Sequence, residues 1–309
     1  TEVEVGGQKL PAFRHAKATL PELINAGRAH GEKPFIVYQG EVWSFARVFA
    51  EADAVAWALK ERFGVEPGDR VAIAMRNRPE WVVAFLGVVL AGAVPAPINS
   101  FGLRDELLWA FGAVQPKVLF LDADRLERLG EEWRSLGAEV VVADSDSGRG
   151  SGVHAWREVT QPARQGPPAV KVGPQDPALL LFTSGASARP KAVLTTHLAV
   201  CQAIMNIDYI GALSAMSSPS VVEQLMRRAL APTTLTVVPL FHISGLHAQL
   251  LTNLVNGRKL VFMHRWDPAK AIELLVQHSV TQFNAAPTMV MQMLEHSTFD
   301  LGAVRRTLA

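Results

Sequence analysis

The sequence predicts an α/β fold in which helices cover a mostly parallel sheet. Three observations predict it. Short apolar runs recur along the chain, as at Val71–Met75, Lys117–Leu121 and Glu139–Ala143. Between them lie segments whose apolar residues follow helical spacing. The 309 residues are 49% hydrophobic and 19% charged, enough apolar material for a substantial core and too much for disorder. Alternation of this kind is how parallel strands are joined.

Taken in order, Phe35–Tyr38 and Val42–Trp43 read as a hairpin around Gln39-Gly40. Ser44 suits the N-cap of a helix to about Lys60, because Phe45, Val48, Phe49, Ala52, Val55 and Leu59 share one face. Glu66-Pro67-Gly68-Asp69 is a turn and Val71–Met75 a strand. Pro79 opens a buried helix, a position that suits its missing N–H, and a short strand follows at about 93–98. Leu103–Val114 is helical, Lys117–Leu121 a strand, Asp124–Leu136 an exposed charged helix and Glu139–Ala143 a strand. Residues 144–152 are polar and flexible, and Pro162, Pro167, Pro168, Pro174 and Pro177 mark a connector. Then come a strand (Leu179–Phe182), a loop, a helix from about His197 and a surface loop at 213–220. Leu235–Val238, Lys259–Phe262 and Gln282–Ala285 read as strands. Gly245–Asn256, Pro268–His278 and Thr288–His296 read as the helices between and after them.

Composition excludes several functions. Lys and Arg total 30 against 29 Asp and Glu, without the basic surplus of a nucleic-acid binder. Cys201 is the only cysteine, which rules out an internal disulfide and any multi-cysteine metal centre and fits a cytoplasmic setting. The uncharged run from Trp81 to Leu103 is broken by Pro95 and Pro97, so a buried helix and strand explain it better than a transmembrane segment. His242 and His247 lack the spacing of a zinc helix, and no metal ligands are assigned.

The chemistry concentrates in Leu179-Leu180-Leu181-Phe182-Thr183-Ser184-Gly185-Ala186-Ser187-Ala188-Arg189-Pro190-Lys191. An apolar strand runs into a loop of hydroxyls and small residues, closed by a lysine, with Thr195 and Thr196 available to cap the next helix. Hydroxyls, backbone N–H groups and an ammonium on one turn make a phosphate cradle. An ordinary small-residue loop has the same composition. It is not the common P-loop, since Lys191 lies between Pro190 and Ala192. Nor do Ser184 and Ser187 have the glycine context of a hydrolase nucleophile.

This segment resembles the phosphate-binding signature of the adenylate-forming superfamily of acyl-CoA synthetases, peptide-synthetase adenylation domains and luciferases. Thr183, Ser184, Gly185, Ser187, Pro190 and Lys191 match Thr-Ser-Gly-(Ser/Thr)-(Thr/Ser)-Gly-x-Pro-Lys-Gly. Ala186 replaces a hydroxyl residue, and Ala188 and Ala192 replace glycines. If the glycine at 188 adopts a left-handed conformation, alanine costs about 1–2 kcal/mol there. Glu66–Ile73, Asn77–Trp81, Ala91–Asn99, Pro239–Leu246, His264–Pro268 and Ala285–Thr288 resemble further family segments in the right order.

The resemblance implies a fold, an activity and a site. The fold is the N-terminal large-domain fragment of an adenylate-forming enzyme. It has two helix-covered, mostly parallel sheets, the second incomplete. Residues 45–205 form the first subdomain, residues 1–44 and 206–309 the second, and the mobile C-terminal domain is absent. The activity is that of an ATP-dependent acyl-CoA synthetase, with a fatty acid favoured and coenzyme A as acceptor. Mg²⁺ is expected on the ATP phosphates. Thr183, Lys191 and His242 would be catalytic. Thr183, Ser184, Gly185, Ala186, Ser187, Ala188 and Lys191 would hold the nucleotide. Phe241, His242, Gly245, Asn284 and Ala285 would line the acid pocket. A homodimer is compatible with this reading.

The family's Gly-Gly-Ala-Pro strand, Tyr-Gly-x-Thr-Glu segment, ribose-binding Asp and C-terminal catalytic Lys do not occur in the chain. The chain alone is therefore expected not to catalyse acyl activation. A non-catalytic short homologue binding nucleotide or acyl groups, and an aryl-acid or amino-acid adenylating enzyme, stay open.

Overall fold

Apolar residues alternate along each strand, and the two sets they define pack against different layers. The computed structural model describes residues 1–145, 150–161, 164–183 and 190–308. The chain opens with a hairpin, β1 (Glu2–Val5) and β2 (Gln8–Pro11), and a short helix, α1 (Leu20–Ala26), capped by Thr19. β3 (Pro34–Tyr38) and β4 (Glu41–Ser44) pair antiparallel around Gln39 and Gly40, both with positive φ. That is the turn chemistry a tight hairpin needs.

Ser44 accepts the N–H of Arg47 at 3.1 Å and starts α2 (Phe45–Glu61). β5 (Arg70–Ala74), α3 (Pro79–Leu90), β6 (Val94–Pro97), α4 (Arg104–Val114), β7 (Val118–Leu121), α5 (Ala123–Leu129), β8 (Glu139–Val142) and β9 (Val153–Ala155) follow. The five strands form one wholly parallel sheet in the order β6-β5-β7-β8-β9. A short helix, α6 (Trp156–Val159), leads into the proline-rich connector.

β10 (Pro177–Thr183) and β11 (Lys191–Thr196) then pair antiparallel. α7 (His197–Ser217) and α8 (Pro219–Arg228) lead to β12 (Thr233–Thr236). After it come α9 (Ile243–Gly245), α10 (Thr252–Asn256), β13 (Lys259–Phe262), α11 (Pro268–Gln277), β14 (Gln282–Phe283), α12 (Pro287–Leu294) and α13 (Leu301–Arg305). The second sheet has the order β14-β12-β13-β3-β4, parallel except for the last pair.

The layers follow from the pleat. Val71, Ile73, Val118 and Phe120 face α2 and α3, which also meet Ile36, Leu260 and Phe262 of the other sheet. α3 is buried along almost its whole length and lies between the sheets. Ala72, Ala74, Leu119 and Leu121 face α4 and the segment carrying Leu126, Leu129 and Trp133. Val37, Leu235 and Val261 face Ala271, Ile272 and Leu275 of α11. The result is two sheets with a shared helical layer between them and helices outside.

Three expectations need correction, and one strand was not expected. The segment at 124–136 is not one exposed helix. α5 ends at Gly130, whose φ is +60°, and a 3₁₀ stretch continues to Leu136. Leu126, Leu129 and Trp133 are buried because their spacing forms one face. The surface loop expected at 213–220 is helical. Its alanines and serines continue α7 to Ser217, and Pro219 takes the first turn of α8. The helix begins at His197 with Thr196 as its cap, as expected, but Lys191–Thr196 before it form an unexpected strand, β11, because Val193, Thr195 and Thr196 favour extended backbone. The helix expected over 245–256 is interrupted by a π-helical turn at Leu246–Leu251. α7 is the one helix among the described residues long and apolar enough, by length and composition, to cross a membrane.

Candidate functional site

Ligands of open α/β sheets bind in crevices beyond the carboxyl ends of the strands. Such a crevice opens here where the two sheets meet. A cavity of about 190 Å³ is lined by Arg76 and Asn77 after β5, Ser100 and Phe101 after β6, and Val237 and Pro239 after β12. Met263 to Trp266 after β13 and Met289 of α12 complete it. Four parallel strands from two sheets thus converge on one space.

Its charge is positive. The Arg76 guanidinium lies 3.8 Å over the Phe101 ring, and neither Arg76 nor Arg265 has a carboxylate partner among the described residues. Burial lowers the Arg76 pKa, and Arg125, Arg128 and Arg265 push the same way against Asp122. Arg125 is fully buried behind it, with Nε on Asp122 at 2.7 Å. His264 Nδ1 lies 3.0 Å from the Tyr38 hydroxyl. Two guanidinium groups above an apolar floor suit an anionic head on an apolar body.

The loop bearing His242 is fixed from the opposite sheet. Asn77 Nδ2 donates to the Val238 carbonyl at 2.9 Å, and Asn77 Oδ1 accepts the Leu240 N–H at 3.0 Å. His242 then caps α9. Its Nδ1 accepts the N–H of Ser244 at 3.2 Å and lies 2.8 Å from Ser244 Oγ. With Nδ1 accepting, the neutral ring carries its proton on Nε2, and the exposed side chain has a donor to offer. Gly245 is required here, because an added Cβ would sit 2.2 Å from the Pro239 carbonyl oxygen.

Thr183 and Lys191 face each other across the mouth of the β10–β11 hairpin, where Thr183 Oγ1 accepts the Lys191 N–H at 3.4 Å. Both are exposed, and Lys191 has no ion-pair partner among the described residues. Ser184, Gly185, Ala186, Ser187 and Ala188 lie outside the described residues. Phe182 and Pro190 line a second cavity of about 280 Å³ with Trp109, Asp105 and Glu106. The segment 98–102 lines both cavities, so it separates them.

The structure therefore groups the expected residues unevenly. Phe241 is one ring contact from the first cavity, 5.9 Å edge-on to Phe101. His242, Gly245, Asn284 and Ala285 do not line that cavity. Asn284 is exposed, and its carbonyl accepts from Gln249 Nε2 at 3.4 Å. Sequence reasoning assigned no site role to Arg76 or Phe101, and Asn77 and Arg265 stood there only within motifs. Their common signal is position, since each follows the end of a parallel strand. No group of three or more His, Cys, Asp or Glu side chains converges to hold a metal among the described residues.

The comparisons with known proteins agree with this architecture. The sequence profile described as AMP-binding enzyme matches residues 24–309. The chain belongs to the AMP-binding enzyme family. A 4-coumarate–CoA ligase 3 of Oryza sativa subsp. japonica is 28% identical, and the match covers 100% of this chain and 54% of that protein. A 4-coumarate–CoA ligase 2 of Narcissus pseudonarcissus is 29% identical over 87% of this chain and 47% of its own length. The chain thus spans about half the length of these curated relatives.

Among solved structures, the N-terminal domain of FACL13 from Mycobacterium tuberculosis superposes with a TM-score of 0.73 at 22% identity, covering 91% of this chain and 66% of that one. ATP-bound MatB from Rhodopseudomonas palustris gives 0.71 at 22% identity, covering 92% and 53%. These structures establish the fold: two helix-covered sheets of the kind found in the N-terminal domain of adenylate-forming enzymes.

Proposed function

We propose that the chain supplies the acid- and nucleotide-binding face of an ATP-dependent acid–thiol ligase. The carrying observation is the cationic cavity at the ends of β5, β6, β12 and β13, with Arg76 and Arg265 lacking ion-pair partners among the described residues and the His242 loop clamped beside it. In such a reaction a carboxylate oxygen attacks the α-phosphorus of ATP. The bond to pyrophosphate breaks, and an acyl-adenylate forms. Two anions must meet, so the protein's task is to neutralise charge and align the attack. Lys191 would carry the departing phosphates at the hairpin mouth, and Thr183 would hold the loop's first turn. The His242 Nε2–H would orient the carboxylate. Mg²⁺ would ride on the ATP phosphates, and coenzyme A would accept the acyl group.

The acid is proposed as a carboxylic acid with an apolar body, because Phe101, Met263, Trp266 and Met289 surround the cationic end. A fatty acid is the first reading. An aryl acid is the second, favoured by the curated relatives, which are 4-coumarate–CoA ligases. The test is binding of ATP and of hydrolysis-resistant fatty and aryl acyl-adenylates to this chain by calorimetry. The expected result is binding weakened at least tenfold by Lys191→Ala and by Arg76→Ala. Binding of neither ligand class, or binding indifferent to both substitutions, overturns the proposal.

A further inference from the structure

A helix that is apolar all round belongs inside a protein or against lipid. α7 begins as the first kind, with His197, Val200, Cys201 and Ile204 buried in the core. From Tyr209 to Ser217 it becomes something else. Every residue in that stretch is exposed, Tyr209, Ile210, Leu213 and Met216 among them. No charged residue occurs from Tyr209 to Val222. The uncharged helical end therefore projects beyond the body, and α8 follows after the single residue Ser218.

Cations stand at the base of this projection. Gln202 of α7 grips the backbone of Phe13 on both sides, at 2.7 and 3.2 Å, and the Phe13 ring packs 5.6 Å from Tyr209. That contact sets exposed Arg14 and Lys17 beside the root of the apolar end, without ion-pair partners among the described residues. At the end of α8, Arg228 donates to the Arg305 carbonyl, which gathers two more arginines there. Of the nearby acids, Glu223 is paired with Arg227 at 2.6 Å, and Asp208 accepts from the neutral Asn256 amide at 3.0 Å and keeps its charge. A chain of net charge +1 thus concentrates positive charge around its most apolar exposed helix.

We propose that the projecting end of α7 seats the protein on an anionic phospholipid surface as a monotopic anchor. The exposed end is about 13 Å long at 1.5 Å per residue, within one leaflet's half of the roughly 30 Å hydrocarbon core. Spanning is excluded for the folded chain, because the first half of α7 is held in the core. The apolar end enters the headgroup–acyl boundary, and Arg14, Lys17 and Arg228 meet lipid phosphates. This inference stands apart from the ligase reading.

The test uses the 309-residue chain with vesicles of phosphatidylcholine alone and vesicles containing about one-third phosphatidylglycerol. Flotation should recover the chain with the anionic vesicles only, and partition should fall at least tenfold at high salt. Leu213→Glu and Met216→Glu alter side chains in open solvent, so folding survives, and each should abolish binding. A tryptophan placed by Met216→Trp should blue-shift on vesicles and be quenched by brominated acyl chains. Equal binding to neutral and anionic vesicles, no binding at all, or an unshifted tryptophan refutes the anchor. So does a lipid-free dimer that Leu213→Glu dissociates, since a second copy would then cover the face.

Discussion

Asn77→Ala removes the side chain that hydrogen-bonds the His242 loop from the opposite sheet. Two hydrogen bonds vanish together, Nδ2 to the Val238 carbonyl at 2.9 Å and the Leu240 N–H to Oδ1 at 3.0 Å. The two backbone groups left behind fare differently. Val238 is half-exposed, so water can reach its carbonyl, whereas Leu240 is fully buried and its N–H is orphaned. An orphaned buried donor costs about 1–3 kcal/mol, and the lost carbonyl bond adds about 1 kcal/mol or less. The sum is about 1–4 kcal/mol.

Hydrogen exchange at the Leu240 amide reads this directly, and urea unfolding reads the total. Asn77→Asp supplies the control. It keeps an acceptor for Leu240 but sets a carboxylate against the Val238 carbonyl. Leu240 should therefore stay protected in Asn77→Asp while global stability falls, and lose protection in Asn77→Ala. An unchanged exchange rate at Leu240 in Asn77→Ala would falsify the clamp.

Three further outcomes follow from the same structure. Burial lowers the His247 pKa from 6.5 to about 4, so the unfolded chain binds a proton that the folded chain refuses. Stability should then fall as pH drops from 6.5 towards 4, by at most about 3 kcal/mol, and His247→Leu should flatten that slope in denaturant titrations at several pH values. Gly245→Ala drives a Cβ to 2.2 Å from the Pro239 carbonyl oxygen, and calorimetry should show a loss above about 2 kcal/mol; a neutral effect would refute the tight approach. Asp122→Asn strips the buried, closer charge partner from fully buried Arg125 and leaves only the exposed Asp124 at 3.6 Å, so unfolding should register about 3 kcal/mol of destabilisation.

What could be read in the sequence was local and periodic. The Ser44 cap, the Gln39-Gly40 turn, the Pro79 start and the parallel strands all announce themselves within a few residues. The misreadings share a cause, which is that burial is decided by partners far away in sequence. Asp124–Leu136 looked exposed because its charges outnumber its apolar residues. The structure nevertheless hides Arg125 by pairing it with Asp122, and packs Leu126, Leu129 and Trp133 on the sheet. Small polar residues at 213–220 suggested a loop, though alanine and serine carry a helix there. The candidate site was legible in its motifs and illegible in its cavity. Nothing local in Arg76, Phe101 or Arg265 says that the ends of β5, β6 and β13 meet.

The charge bookkeeping at that cavity argues for an incoming anion. Asp122 is the carboxylate placed to neutralise Arg76, yet both of its oxygens are committed elsewhere. Oδ1 accepts from Arg125 Nε and from the Arg125 N–H, and Oδ2 accepts from the Arg76 backbone N–H at 3.0 Å instead of its guanidinium. Arg78, next but one along the chain, takes both Glu80 and Asp144. The structure thus spends three acids around Arg76 and leaves Arg76 itself on an aromatic face. A cation–π contact holds a guanidinium in place without satisfying its donors. Half-buried donors without acceptors cost stability unless a ligand completes them. Arg265, exposed and without an ion-pair partner among the described residues, lines the same space, so a carboxylate or phosphate oxygen there would meet both guanidinium groups at once. Anions should therefore stabilise the chain in proportion to their charge, and Arg76→Gln together with Arg265→Gln should erase that stabilisation in a thermal shift assay. Equal stabilisation of parent and double variant would place the anion elsewhere.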